Sequence, residues 1–281
     1  MKPTSVIFLI LSIIMIFAGL ICCKVATAKA ADQGYQLFIQ SEDEEGNLVT
    51  SYPMDAAEVG KLNLTITGAD VNVISGADTA RVELLNYSIN SFTYGITSGE
   101  MTISDSVSLL TMFNLSGKGT QFKGLRHYKN LANLSKGKKT VNVYLTDSYP
   151  LENLELKVTG GDIFVTGVSS ACAYKLTATT GNITMAGIQN ATVATLSVTQ
   201  KGDIRLSGCI FERITANIIS GNFRYDGVAA EQQAYALKTE NGMISVNAEN
   251  IGTSYNVSSP AATTTCTVTV EDGNIIIVDM T

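Results

Sequence analysis

Two aspartates, Asp162 and Asp203, occupy corresponding places in repeated stretches of the chain, with Asn182 at the same place between them. Paired carboxylates on one face are what acid–base cleavage of a glycosidic bond requires, and clustered oxygens can also hold a cation. A local explanation competes. Each of the three residues follows a glycine, and Gly-Asp or Gly-Asn is turn chemistry in its own right. Because neighbouring copies exchange Asp for Asn, the turn explanation prevails. The expectation is a chain that is not an enzyme, with no catalytic residue, no metal and no cofactor. The single histidine, His127, gives little basis for a Ser-His-Asp enzyme or a His-based metal site.

A second group is cationic. Residues 106–140 carry Lys118, Lys123, Arg126, Lys129, Lys136, Lys138 and Lys139, and no acid. Such a block suits contact with an anionic polymer or lipid headgroups. It suits equally a solvated insertion lying against acidic parts of its own chain. Those parts are plentiful: residues 32–105 hold 12 acidic and 2 basic residues, and residues 141–281 hold 13 and 7. Everything after residue 31 therefore sums to −9, although the whole chain is −6. The acidic run Ser41–Asn47 reads as a solvated loop. A pI near 4.9 argues against nucleic acid as a partner.

The elements that carry these residues are repeats. Gly161, Gly181, Gly202, Gly221, Gly242 and Gly273 align, with steps of 20, 21, 19, 21 and 31 residues. Two and four residues after each glycine stands an apolar pair: Ile163/Val165, Ile183/Met185, Ile204/Leu206, Phe223/Tyr225, Ile244/Val246 and Ile275/Ile277. Before most of them runs an alternating set at minus seven, minus five and minus three, such as Leu154/Leu156/Val158. The pattern reaches back to Gly99 and Ala69, giving about eight copies with the basic block between the second and third. The third copy carries one extra residue, Lys201, and Met243 replaces Asp or Asn after Gly242.

Each copy reads as strand, tight turn, strand, with one face of each strand in a core. Two architectures fit. Copies that are β-hairpins make an antiparallel sandwich, for which Asn241-Gly242 and Asp272-Gly273 are good turns. Copies that are single coils make a parallel β-solenoid whose equivalent positions stack. The near-constant period favours the solenoid. A thin core accounts for the absence of Trp and for a charged share of only 16%. Cys209 and Cys266 fall in core slots and are expected to be buried thiols, whereas Cys172 falls outside the core register.

Residues 6–23 form an apolar run broken only by Ser12, about 27 Å long as a helix and close to a bilayer core. Ala26-Thr27-Ala28 and Ala28-Lys29-Ala30 supply cleavage-type triplets. The segment 1–30 is thus a signal peptide or a signal-anchor helix, and the length of the run favours the anchor. An acidic lead-in, 31–61, and a repeat domain, 62–281, follow. The expected location is the cell membrane, single-pass, with the bulk of the chain extracytoplasmic, or secreted if the signal is cleaved.

Gly161-Asp162-Ile163, Gly202-Asp203-Ile204 and Ser220-Gly221-Asn222-Phe223 resemble the recurring Ser-Gly-Asp-Ile element of the bacterial "putative adhesin" domain family, the DUF4097 type. Thr140–Leu145 and Tyr149–Leu154 resemble the segment leading into that family's repeats. The resemblance covers residues 62–281. It implies a β-solenoid outside a bacterial membrane and a role in adhesion or in the cell envelope, with no catalytic residues. The expected partners are the membrane, through residues 6–23, and a cell-wall polymer, a glycan or an envelope protein. An envelope-stress accessory acting through a membrane partner is the alternative, and a polysaccharide-acting enzyme ranks behind both.

Overall fold

The computed structural model describes residues 39–279 except 45, 88–91, 106–137, 169–170, 190, 229–232, 259–261 and 263. The predicted anchor, residues 6–23, lies outside the described residues. Among the described residues the protein is all β. In chain order the strands are β1 (Ile39–Glu42), β2 (Leu48–Pro53), β3 (Lys61–Thr67), β4 (Asp70–Ser75), β5 (Arg81–Leu85), β6 (Thr93–Thr97), β7 (Glu100–Ser104), β8 (Thr140–Leu145), β9 (Asn153–Thr159), β10 (Ile163–Thr166) and β11 (Ala173–Thr180). They continue as β12 (Ile183–Ala186), β13 (Ala191–Lys201), β14 (Ile204–Ser207), β15 (Phe211–Ser220), β16 (Phe223–Val228), β17 (Gln233–Asn241), β18 (Ile244–Val246), β19 (Glu249–Gly252), β20 (Ser254–Val257), β21 (Thr264–Asp272) and β22 (Ile275–Asp279).

These strands form two sheets, one of twelve strands and one of ten. Each repeat contributes a long strand to the ten-stranded sheet, turns at its glycine, and contributes a short strand to the twelve-stranded sheet. Equivalent positions pair in parallel. Val71, Ile163, Ile183, Ile204, Phe223, Ile275 and Ile244 form one row across the twelve-stranded sheet. The period-two alternation sends these residues and Val165, Met185, Leu206, Tyr225 and Ile277 inward, all at 0% exposure. Burial of each such side chain stabilises by about 1.5–3 kcal/mol as an upper figure. The architecture is thus a parallel β-solenoid with two faces, and the antiparallel sandwich is set aside.

The stacking order departs from the sequence order. The twelve-stranded sheet runs β1-β2-β5-β8-β4-β10-β12-β14-β16-β22-β18-β19. The last coil in the chain, β21–β22, therefore lies between the coil of β15–β16 and the coil of β17–β18. The repeat gives no warning of this, because every coil offers the same apolar rows and parallel edges to any neighbour. The 31-residue last step holds the excursion through β19 and β20 that makes the insertion possible.

Gly99 is not a coil corner. It sits with Ser98 in a tight hairpin turn, φ +79° and +52°, joining the antiparallel pair β6 and β7. A hairpin turn and a solenoid corner both want glycine, so the motif alone does not separate them. Ala69 is a true corner between β3 and β4. Beyond that coil the next rung is built from β7 in one sheet and β8 in the other. In the sequence this rung has residues 105–139 between its two strands where other coils have a Gly-Asx pair. Antiparallel strands cover the parallel stack: β5 and β6 at one end, β19 and β20 at the other. Such ends protect parallel edges that would otherwise template further strands. The acidic run Ser41–Asn47 includes the β1–β2 turn, where the Asn47 amide donates to Asp43 Oδ1 at 2.7 Å.

Cys172 corrects a further expectation. It is fully buried, as are Cys209 and Cys266 at 1% exposure. At minus nine from its glycine it continues the inward set of minus seven, five and three. Burial raises all three thiols, Cys172 and Cys266 to about 12. Iodoacetamide at pH 8 should leave these thiols unmodified in the native protein and label them above the unfolding midpoint. Rapid labelling of their peptides in the native protein would contradict this core.

Candidate binding surface

Asp162 and Asp203 lie in a ladder at the corner of the solenoid. The Asp162 amide donates to Asp70 Oδ1 at 3.1 Å, and the Asn182 amide donates to Asp162 Oδ1 at 2.7 Å. The Asp203 amide donates to Asn182 Oδ1 at 2.9 Å, and the Asn222 amide to Asp203 Oδ1 at 2.7 Å. Asn274 and Met243 extend the run, their amides donating to Asn222 Oδ1 and Asn274 Oδ1 at 3.0 and 2.9 Å. Each Asx side chain therefore caps the backbone of the next coil. The Nδ2 groups of Asn182 and Asn222 also donate to Asp162 and Asp203, at 3.1 and 3.2 Å. From Asp162 to Asn222 the alternation of Asp with Asn keeps like charges from stacking on adjacent rungs, whereas Asp70 and Asp162 do stand on adjacent rungs.

The two ends of this ladder explain its irregular members. Met243 belongs to the last parallel rung of the twelve-stranded sheet, so no further coil needs an oxygen from it. At the other end Lys138 ion-pairs with Asp70. Burial opposes ionisation of Asp70, but the Lys138 hydrogen bond, the Asp162 amide and the Lys138 charge outweigh it and hold the carboxyl below 3.8. A carboxyl lowered on folding stabilises fully above its unfolded value near 4. That contribution is lost as pH falls through the folded value. An NMR titration of Asp70 should place its midpoint below 3.8 and move it upward in Lys138→Ala; an unmoved midpoint would contradict the pairing.

Of the seven basic candidates, Lys118, Lys123, Arg126, Lys129 and Lys136 lie outside the described residues. Lys138 is paired with Asp70, and the Lys139 ammonium lies 5.0 Å from the centre of the Tyr87 ring. Among the described residues no three His, Cys, Asp or Glu side chains gather as a metal site, and no helix is long and apolar enough to cross a membrane.

The register builds a second kind of row on the outside. Thr195, Thr215 and Thr267 pair side by side on β13, β15 and β21, flanked by the row Ser197, Asn217 and Thr269. Successive members of a row are about 4.8 Å apart. Two open grooves lie along these three strands. One, about 280 Å³, is lined by Ser197, Thr199, Asn217, Ile219, Thr269 and Glu271. The other, about 610 Å³, is lined by Thr192, Val193, Ile210, Glu212, Arg213 and Thr265. Ile210 and Ile219 are 56% and 43% exposed. On the opposite sheet Arg205 and Arg224 stand in register and share Asp226, at 3.8 and 2.7 Å. Reading only the inward positions of the repeats misses these outward rows; aligning the alternate positions would have shown the threonines.

A family model described as Toastrack DUF4097 matches residues 59–279. The chain belongs to this family. The match takes in the corner ladder, the outward rows and the inserted coil of the Toastrack domain together. Solved structures similar to this chain include a "putative cell adhesion protein" from Clostridium sporogenes, 13% identical, covering 83% of this chain and all of its own, with a TM-score of 0.45. A "putative adhesin" from Bacteroides fragilis is 12% identical, covers 85% of this chain and all of its own, and has a TM-score of 0.36. One from Parabacteroides distasonis is 11% identical, covers 83% and 97%, and has a TM-score of 0.35. No curated protein matches the chain by sequence.

Proposed function

We propose that this Toastrack protein is a non-catalytic interaction module of the adhesin type. The apolar segment 6–23 anchors it in the cell membrane with the solenoid extracytoplasmic. Its partner is a component of the envelope: a cell-wall polymer, a glycan or another protein. The observation that carries this reading is the row Thr195–Thr215–Thr267 with its flanking row and grooves. An array of hydroxyls and amides repeating every ~4.8 Å from strand to strand suits an extended repeating partner better than a small substrate. The carboxylates that would be needed for hydrolysis are engaged along the corner ladder.

The test uses the full chain in detergent against isolated cell-wall polymers, arrayed glycans and envelope proteins. The triple variant Thr195→Ala, Thr215→Ala, Thr267→Ala removes the hydroxyls at outward positions without stacking like charges, and each substitution shifts stability by about 1 kcal/mol or less. The expected outcome is binding by the natural chain and at least a tenfold loss in the variant. Binding to nothing in such a panel, or binding untouched by the triple change, would contradict the proposal. Protease treatment of intact cells should digest residues beyond 31, as an extracytoplasmic solenoid requires.

A further inference from the structure

The coil formed by β21 and β22 is last in the chain and interior in the stack. β21 is hydrogen-bonded to β15 and β17, and β22 to β16 and β18. Neither is paired with β19 or β20, the strands that precede them. Its inward side chains Cys266, Val268, Val270, Ile275 and Ile277 are all at 0–1% exposure. The coil thus completes the core of a slot, and the six residues 258–263 tie β21 to β20.

That tie has a geometric duty. β20 lies on the far side of β17, antiparallel to it, with Val257 opposite Tyr235. β21 lies on the near side, with Thr264 opposite Gln233. The ends of the connection thus lie on opposite sides of β17, two strand spacings or about 9.6 Å apart laterally, and offset by two residues along it, about 6.6 Å. The ends are thus roughly 12 Å apart. Six residues cover that easily, whereas two residues reach only about 10 Å when fully extended.

We infer that residues 264–279 are an exchangeable coil, and that the slot between β15–β16 and β17–β18 accepts this coil from a second copy of the chain. The slot makes the same backbone bonds and core contacts whichever copy supplies the coil, so only the connection decides between a closed monomer and a reciprocal dimer. Gly221 and Gly242 are 21 residues apart, the same as the direct neighbours Gly181 and Gly202, so coil 233–246 can join the stack directly on β15–β16 until a coil 264–279, from either copy, separates them.

The experiment shortens the connection in the full chain, in detergent, by deleting residues 259–262. It adds Asn217→Cys and Thr269→Cys, an outward pair that faces across β15 and β21, with Cys22 and Cys23 replaced by serine. On oxidation the natural-length chain should give a link within one chain, and the shortened chain a link between chains, together with a doubled mass by light scattering. A shortened chain that cross-links within itself as a monomer overturns the inference. So does one that forms no cross-link and loses 264–279 to protease, because the coil then fails to find the slot of another copy. A second measurement needs no deletion: two differently tagged natural-length chains, mixed in sub-denaturing urea and then oxidised, should yield mixed dimers. Cross-links confined to single chains at every urea concentration would also overturn it.

Discussion

Gly202→Ala is expected to cost at least about 4 kcal/mol, enough to unfold a domain of ordinary stability. A Cβ on Gly202 would lie 1.9 Å from the Gly181 carbonyl oxygen and 2.6 Å from its carbon. Those atoms are backbone and cannot swing aside. The Gly181 amide donates to the Lys201 carbonyl at 3.0 Å and the Gly202 amide to the Ser220 carbonyl at 2.9 Å, so the spacing of three coils is fixed together. The backbone at Gly202 has φ +152°, which adds conformational strain for any other residue. Gly68→Ala is the control. Gly68 has φ +68° but nothing within 4 Å of the added carbon, so only the backbone preference of about 1–2 kcal/mol is lost. Urea unfolding of both variants should show a large and a modest fall in midpoint, respectively. Equal falls would mean that the corner is not a close backbone stack.

Tyr225→Ala should cost about 3–5 kcal/mol, and Tyr225→Phe about 1–2. Tyr225 is fully buried in the column between Leu206 and Ile277. Neighbouring coils are held at fixed spacing by their backbone bonds, so the column cannot collapse into the space the ring leaves. The smaller figure belongs to the hydroxyl, which donates to the Cys209 carbonyl at 2.8 Å in the interior. That bond shows why a core so thin admits tyrosine: the ring spans it and the hydroxyl finds a backbone partner at its edge. Similar losses for the two variants would place the energy in the hydrogen bond and contradict the packing argument.

The parts of this fold that were legible in the sequence are those fixed by local contact. Glycine recurs because consecutive corners touch backbone to backbone. Asp or Asn follows because its side chain caps the next coil, and the inward pairs recur because two sheets share one core. The parts that were not legible lack a local signature. Coil 264–279 is as good a neighbour for β15–β16 as coil 233–246 is, so register alone does not order them. Gly99 serves a hairpin with the same residue type that serves a corner. Cys172 is inward because the alternation of β11 continues one step beyond the minus-seven position. For the candidate surface, the acidic repeat residues draw attention through their chemistry, and the structure shows each accepting the backbone amide of the next coil. The outward threonines are visible when the alternate positions are aligned, but they become a row only once the order of β13, β15 and β21 is known.

That order places the last coil inside the stack and completes the Thr195–Thr215–Thr267 row. Paired cysteines at outward positions test it most directly. In the full chain, Thr215→Cys with Thr267→Cys should oxidise rapidly, because the two positions face one another on adjacent strands. Thr215→Cys with Ala236→Cys should not, because β21 lies between them. Rapid linking of 215 to 236 and none of 215 to 267 would mean that the coils stack in sequence order, and would contradict both the inserted coil and the row built upon it.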